Sequence, residues 1–428
     1  MNQKAIVSFA LASCAAVAHG AGFGLYEMSA RGNAMGGALV GKAADASANY
    51  YNPATLTSLT GTWFTVSASL MNPRCDTKVD GRHGQKMNAG WFIIPGVYAS
   101  QELGRGFFLG VGAYADFGLG TKYKRDWPLN FDTTETTIEA YTVNPNIAYK
   151  ATDRLSVAAG LRSTAITFDQ RKTISAGNAD MPQLGKLGTV NAHIRGEDYC
   201  SIGYNFGVKY DIMTNLSVGV TYRSRIKTNI KGRTRTSYSV ADSVYGRMAA
   251  ATIRQTARAS EGTTSAKLHL PQSITFGANW DPWETFHVGA DLTWTEWSSV
   301  PVAYFNTPRG PNPVWLKWHD TLRIGVGFCY DVTDSLSAML GYAYDFDPSH
   351  DNLGSTMLPP GDRHIFSTGL GYRIGSWDFA VNYSVIYQVS DARDINSGAR
   401  SYPYGRTYHF DTAKSFAHCI GLGATYHF

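Results

Sequence analysis

Side chains that could do covalent chemistry are present in this sequence, but they are not grouped. The 428 residues include eleven histidines, yet there is no Gly-x-Ser-x-Gly elbow, no His-Glu-x-x-His pair and no Walker-type phosphate loop. Asp345 and Asp347 either hold calcium in a loop or are ordinary solvated charges. The sequence therefore predicts no catalytic residues, no metal site and no cofactor.

The first twenty residues read as a secretory signal. Lys4 precedes an apolar run that ends in small residues, and the pair Ala18 and Gly20 suits cleavage after Gly20. The stretch ending at Cys14 also resembles a lipoprotein signal, but the apolar run continues past that cysteine. We therefore exclude residues 1–20 from the fold and expect an exported mature chain.

Four cysteines remain after this cleavage, and they are far apart: Cys75, Cys200, Cys329 and Cys419. None forms a Cys-x-x-Cys pair, which argues against a zinc site. Export permits disulfides, and four cysteines allow three pairings, among which the sequence does not choose.

Composition narrows the class of protein. Only 17% of residues are charged while 13% are aromatic, and the net charge of +5 is spread along the chain, which does not suggest nucleic-acid binding. No apolar run reaches the roughly 18–20 residues that a membrane-spanning helix needs. What remains is a Tyr- and Gly-rich β-protein suited to contact with lipid.

Alternation of apolar and polar residues is the dominant signal. In the final segment Leu422, Tyr426 and Phe428 share one face, and Gly421 and Gly423 share the other. Segments of about ten residues with aromatic ends are typical of strands that cross an outer membrane, and in lipid such a sheet must close. The sequence predicts an all-β fold, a transmembrane antiparallel β-barrel over residues 62–428. About fourteen strands are expected near 62–70, 91–102, 105–118, 137–150, 154–169, 199–211, 216–231, 266–280, 286–299, 320–331, 335–346, 363–374, 377–389 and 415–428.

Short connections alternate with long ones, as expected when one barrel end faces the periplasm and the other the outside. The long loops are expected at 71–90, 119–136, 170–198, 232–265, 300–319, 347–362 and 390–414. Within the fourth, residues 242–259 are expected to form a helix with Arg247, Arg254 and Arg258 on one face. That face is either simply solvated or in contact with lipopolysaccharide phosphates or an acidic headgroup.

Residues 21–61 differ from the rest because they are rich in Gly and Ala and show no strand period. A segment of this kind is expected to fold inside the barrel as a plug, or hatch.

This opening region resembles the long-chain fatty-acid transporter family of Gram-negative outer membranes (FadL/TodX type). The resemblance rests on short motifs that keep their order along nearly the whole mature chain: Ser29-Ala30-Arg31-Gly32, Asn52-Pro53-Ala54, AYADFGLG (113–120), Thr221-Tyr222-Arg223-Ser224, Trp294-Thr295-Glu296-Trp297, GYAYDFDP (341–348), LPPGDRHIFSTGLGY (358–372) and the terminal Phe428.

The resemblance implies uptake of hydrophobic molecules by ligand capture, hatch movement and sideways release beside an inward kink in the third strand. Glycines of that strand, Gly110, Gly112, Gly118 and Gly120, either allow the kink or simply fit lumenal packing. Asn52, Pro53 and Ala54 form a stiff hatch corner or an ordinary turn.

A fatty-acid carboxylate would need a cationic partner. The candidates are Arg223 and Arg323, which point into the lumen by strand parity, and Lys317 before the tenth strand; the arginines also suit structural ion ladders. Long-chain fatty acids are the expected ligand, with neutral aromatic hydrocarbons as the alternative and a hydrophilic porin or an adhesin as weaker ones. Expected partners are outer-membrane lipid, lipopolysaccharide and, through the C-terminal strand, the barrel-assembly machinery.

Overall fold

The computed structural model describes residues 22–177, 182–300, 302–308, 310–349, 355–397 and 401–428. The predicted signal peptide, residues 1–20, lies outside these ranges. The strands are β1 (Thr62–Val79), β2 (Arg82–Asn88), β3 (Phe92–Gly104), β4 (Phe107–Lys122), β5 (Glu135–Lys150), β6 (Leu155–Ala176), β7 (Gly188–Met213), β8 (Leu216–Arg223), β9 (Ile226–Lys227), β10 (Ile230–Val240), β11 (Gly262–Lys267), β12 (His269–Leu270), β13 (Ser273–Trp283), β14 (Phe286–Thr295), β15 (Val302–Thr307), β16 (Gly310–Trp315), β17 (Thr321–Asp331), β18 (Leu336–Asp345), β19 (Arg363–Ile374), β20 (Trp377–Gln388), β21 (Ala392–Asn396) and β22 (Thr407–His427).

Fourteen of these strands form one closed antiparallel barrel, which confirms the predicted fold class. In order around the ring they are β1, β3, β4, β5, β6, β7, β8, β13, β14, β17, β18, β19, β20 and β22, and β22 returns to pair with β1. Every strand of the ring pairs with a neighbour on both sides along at least part of its length, as a sheet in hydrocarbon requires.

Several strands are longer than predicted. The prediction of long loops was therefore wrong for the residues that extend these strands. β1 continues to Val79, β6 to Ala176, and β7 already begins at Gly188. Beyond the membrane both strand faces meet polar surroundings, so the alternation in the sequence fades while the backbone pairing continues. Most of the predicted loop 71–90 is therefore a hairpin of β1 and β2.

The helices are short apart from one. They are α1 (Ala30–Ala34), α2 (Ala48–Tyr51) and α3 (Val244–Ala259), together with 3₁₀ turns at Pro53–Ser58, Pro182–Leu184 and Trp297–Ser299. α3 confirms the helix expected at 242–259, and the Ser243 side chain caps it by accepting a hydrogen bond from the Gly246 amide at 3.0 Å. No helix in the described ranges has the length and apolar character to span a membrane.

Residues 22–61 pack against inward-facing strand glycines on several sides of the ring. A Cβ on Gly289 would lie 2.3 Å from the Ala38 carbonyl oxygen, and one on Gly327 would lie 2.3 Å from that of Met35. Glycine is therefore needed on the inner face because the backbone of the N-terminal segment lies directly against the wall. The four cysteines left open by the sequence are all free thiols.

Candidate functional site

β4 contains a bulge that turns its upper half away from the barrel wall. The bulge consists of Ala115 and Asp116, because the register with β5 shifts between Tyr114 and Phe117. Below the bulge alternate residues are buried, and from Tyr114 to residue 121 every residue is buried. The upper half of β4 therefore bends into the lumen.

The ladder between β3 and β4 stops at this bulge. Its last pair is Gly96 with Tyr114, and continuing the register would bring Pro95 opposite Ala115. The Glu102 amide donates a hydrogen bond to the Gly61 carbonyl, which lies on the β1 side of β3. The backbone N–H and C=O groups of successive residues point alternately to the two neighbouring strands, so those of the even-numbered residues of β3 point to β1. The backbone nitrogen of Pro95 therefore points to β4. Proline has no N–H, so β3 offers β4 no donor at the bulge.

A buried ion pair lies at the bulge. The Arg162 guanidinium from β6 contacts the Asp116 carboxylate, and the two residues are 1% and 5% exposed. The Thr142 hydroxyl donates to Asp116 at 2.8 Å, and Arg162 also donates to the Ser224 carbonyl at 3.2 Å. These contacts fix the direction of the bulge from β5 and β6, and Ser224, directly after β8, holds the Arg162 guanidinium.

The bent part of β4 pairs with the N-terminal segment instead of with β3. The Leu25 amide donates to the Asp116 carbonyl at 3.0 Å, and the Gly118 amide donates to the Phe23 carbonyl at 2.8 Å. The Phe23 ring packs edge-on against Trp297 at 5.0 Å and lies 5.8 Å from Phe117, between ring centroids. Residues 23–25 are thus fixed to the bend by backbone and aromatic contacts together.

An apolar cavity adjoins this junction. Its free interior volume is about 70 Å³. Strand side chains of β4 to β6 line it together with the N-terminal phenylalanine and two loop residues: Leu119, Ile138, Phe168, Phe23, Met357 and Leu358. The apolar lining suits a hydrophobic small molecule, and the cavity would have to widen to admit one.

One cationic side chain, Arg393 of β21, reaches the cavity lining. It is 4% exposed, donates to the Ser349 hydroxyl at 3.1 Å and lies 2.7 Å from Asp391 and 3.6 Å from Asp347. The polar end of the cavity therefore holds a cation together with two carboxylates.

The predicted cationic residues lie in different places. Arg223 donates to the Tyr50 carbonyl and stacks over its ring, while Arg323 donates to the Gly36 carbonyl at 2.9 Å. Both point inward as parity predicted, but both hold the N-terminal segment. Lys317 is exposed with φ of +46°, and its neighbours Leu316 and Trp318 line the cavity.

Asn52 holds the predicted hatch corner. Its side-chain oxygen accepts from the Ala54 amide at 3.1 Å, capping the 3₁₀ turn that starts at Pro53. Its side-chain amide donates to Val40 at 2.9 Å and to Val208 of β7 at 3.0 Å. The corner is thus bonded to the N-terminal segment and to the wall.

The four β4 glycines divide at the bulge. Gly110 and Gly112 lie where β4 is still paired with β3, and both face Asn49 of α2. Gly118 and Gly120 lie in the bent part. Close approach of the N-terminal segment accounts for the first two glycines.

Sequence reasoning missed three participants: Pro95, the Asp116–Arg162 pair and Phe23. A proline inside a predicted central strand was an available signal, because it marks a broken ladder. The ion pair had no such signal, since 46 residues separate its members.

The family model for outer membrane protein transport proteins (OMPP1/FadL/TodX) matches residues 11–428. The chain belongs to this family. It is therefore an outer-membrane transporter of a Gram-negative bacterium, and the resemblance stated above is confirmed.

Among its relatives, a putative outer membrane protein of Neisseria meningitidis serogroup B is 26% identical over all of this chain and 98% of the relative. The long-chain fatty acid transport protein of Escherichia coli (strain K12) is 24% identical over 97% of this chain and 98% of its own length. A FadL homologue of Pseudomonas aeruginosa has a similar structure, with TM-score 0.84, 20% identity and coverage of 95% of this chain and 100% of its own. The toluene transporter TodX of P. putida also has a similar structure, with a TM-score of 0.69 and 16% identity. The match covers 94% of this chain and 99% of that one.

Proposed function

We propose that this transporter takes up hydrophobic molecules through the apolar cavity and releases them sideways where the β3–β4 ladder ends. The observation that carries the proposal is that one strand serves both places. Leu119 lines the cavity only a few residues beyond the Ala115–Asp116 bulge. A ligand leaving there would re-enter hydrocarbon without crossing water.

Residues 21–61 are proposed to act as the hatch. The first residues of this segment, which include Phe23, are proposed to be the part that moves. Phe23 occupies the junction between the cavity and the bend, so its displacement would connect the two. Asn52, Pro53 and Ala54 would remain as a fixed anchor, as would the contacts of Arg223 and Arg323 with the same segment. Gly118 and Gly120 would let the bent strand shift.

Long-chain fatty acids are the proposed ligands. Full-length relatives carry the name long-chain fatty acid transport protein, and Arg393 with Ser349 offers a carboxylate partner at the end of the cavity. Lys317, beside two lining residues, is proposed to attract the carboxylate first.

Neutral aromatic hydrocarbons are the second candidate. Asp347 and Asp391 already lie against Arg393, so a carboxylate ligand would have to displace them, whereas a neutral ligand would not. Two solved relatives of the same fold are described as toluene transporters.

Uptake by a strain lacking its own transporter separates these candidates. We expect the protein to restore uptake of radiolabelled oleate, and Arg393→Gln to reduce oleate uptake while leaving toluene uptake unchanged. Arg406→Gln, which removes an exposed arginine paired with Asp80, is the matched control. Restored toluene uptake without oleate uptake would reject the fatty-acid assignment, and equal loss of both in Arg393→Gln would assign that arginine a structural role.

The hatch is tested independently of the ligand. Deleting residues 22–61 should raise the conductance of the protein in planar bilayers, because the segment packs against the wall on several sides. Steady high conductance of the intact protein would indicate a porin instead, and unchanged conductance after deletion would reject the hatch.

A further inference from the structure

A cluster of cations covers the outer wall of the sheet where β7, β10 and β11 extend beyond the membrane. We call this surface the basic wall; it comprises Arg195, Lys231, Arg233, Arg235 and Lys267, all of them exposed. The residues between them along the strands, such as Ile194, Thr234 and Ala266, are buried. The basic wall therefore faces away from the lumen.

The pairing register places like charges directly opposite each other. Arg195 is the cross-strand partner of Arg233. Like charges in such positions destabilise a sheet. An anion that contacts several of these cations at once reduces the repulsion between them.

Two nearby carboxylates are paired on the β6 side, and a third, that of Glu197, belongs to the cross-strand partner of Lys231. Asp169 lies 2.8 Å from His193, and Glu135 lies 3.2 Å from Arg171. Within the described ranges, Arg195, Arg233 and Arg235 have no carboxylate within 4.0 Å. These three arginines are available to an outside partner.

The position of the basic wall relative to the membrane identifies that partner. On β7 the outward residues Ile202, Tyr204 and Phe206 are about half exposed, as expected for contact with hydrocarbon, and Tyr199 marks the upper end of this belt. Arg195 is four residues further up the strand, about 10 Å higher for a tilted strand. That height is in the headgroup layer on the side of the long loops.

We propose that the basic wall binds the phosphate groups of lipopolysaccharide in the outer leaflet. The arginines would contact the phosphates while the acyl chains lie against the apolar residues below them. Free phosphate offers the same charge without the apolar part, so it should bind far more weakly. This proposal does not depend on the transported ligand.

The test uses the full-length protein refolded in detergent and titrated with bisphosphorylated lipid A, dephosphorylated lipid A and inorganic phosphate. We expect tight binding only of the bisphosphorylated form. The variant Arg195→Gln/Arg233→Gln/Arg235→Gln should bind it roughly tenfold more weakly, the combined effect of three exposed charge contacts. Equal binding of both lipid A forms, or unchanged binding by the variant, would overturn the proposal.

The matched control removes three arginines from α3, Arg247→Gln/Arg254→Gln/Arg258→Gln. These residues lie on the helix whose inner side packs through Ile253. The control should keep wild-type affinity, and loss of binding in the control alone would place the lipid on the helix and overturn the proposal. Without lipid A, the basic-wall variant should unfold at a temperature no lower than wild type, because repulsion between Arg195 and Arg233 is gone; this reading separates lost binding from misfolding.

Discussion

Two strand–strand boundaries of the barrel, here called seams, have opposite structures: the closing seam between β1 and β22 is fully paired, and the open seam between β3 and β4 is interrupted. The closing seam between β1 and β22 is continuous, from Trp63 opposite His427 up to Val79 opposite Phe410, with one irregularity next to Asp76. The seam between β3 and β4 ends halfway up, at Tyr114. One seam seals the ring and the other leaves the wall unpaired beside the cavity.

The difference shows how a strand that bends away from its neighbour in the barrel wall can find new backbone partners. Unpaired N–H and C=O groups are costly in hydrocarbon, so the upper half of β4 needs new partners. The N-terminal segment supplies them, since Leu25 donates to the Asp116 carbonyl and Gly118 donates to the Phe23 carbonyl. The segment that fills the lumen therefore also satisfies the broken seam, which links the two in the proposed release step.

The largest effect is expected from breaking the ion pair at the open seam. Asp116→Asn leaves the Arg162 charge buried without a counter-charge, which should lower the free energy of unfolding by about 3–5 kcal/mol. Oleate uptake per folded protein should also fall, because the pair fixes the bulge. Urea unfolding in lipid vesicles and the uptake assay measure the two effects.

Asp345→Asn is the control for this prediction. It breaks an equally buried pair, with Arg363 at 2.8 Å, between two strands that are paired along their whole length. A similar loss of stability with normal uptake is expected. If uptake falls as much in the control as in Asp116→Asn, the bulge has no special part in transport.

The sequence predicted the fold well because lipid imposes a simple pattern. Outward positions must be apolar within the membrane, so fourteen strands could be located by alternation alone. The upper ends of the strands could not be located in this way, because both faces of the sheet are polar there. β7 begins at Gly188, eleven residues before its predicted start.

The site was predicted less well, because its parts come from distant positions. Parity correctly placed Arg223 and Arg323 inside, but parity does not say whether an inward residue meets a ligand or the N-terminal segment. Arg393 lies in the segment 390–414, which was predicted to be a loop, and only folding brings it to the cavity. Local signals of the open seam were Pro95 and the strand glycines Gly118 and Gly120.

A smaller effect is expected from filling space between the N-terminal segment and the open seam. A Cβ on Gly110 would lie 2.4 Å from the Asn49 side-chain oxygen and 2.5 Å from a Leu56 methyl carbon. Gly110→Ala should therefore cost about 1–3 kcal/mol of stability, the usual range for overpacking, and should raise conductance by displacing the segment. Thermal unfolding in detergent and bilayer recordings give the two values.

Gly423→Ala provides the matched change at the closing seam. Its Cβ would meet only Ala30 at 3.3 Å and more distant atoms, so a cost below about 1 kcal/mol and unchanged conductance are expected. A larger effect here than at Gly110 would show that the N-terminal segment is held mainly from the closing seam.

The smallest effect should come from restoring a donor at the point where the open seam ends. Pro95→Ala returns an N–H that faces Ala115, which allows one more hydrogen bond and a gain of about 0.5–1.5 kcal/mol. Uptake should fall modestly, because the proposed exit is narrowed from below. Pro73→Ala is the control: its N–H would face away from β22, so neither seam changes. Faster uptake in Pro95→Ala would mean that the proline obstructs the exit, and the open seam would then owe its shape to the bulge alone.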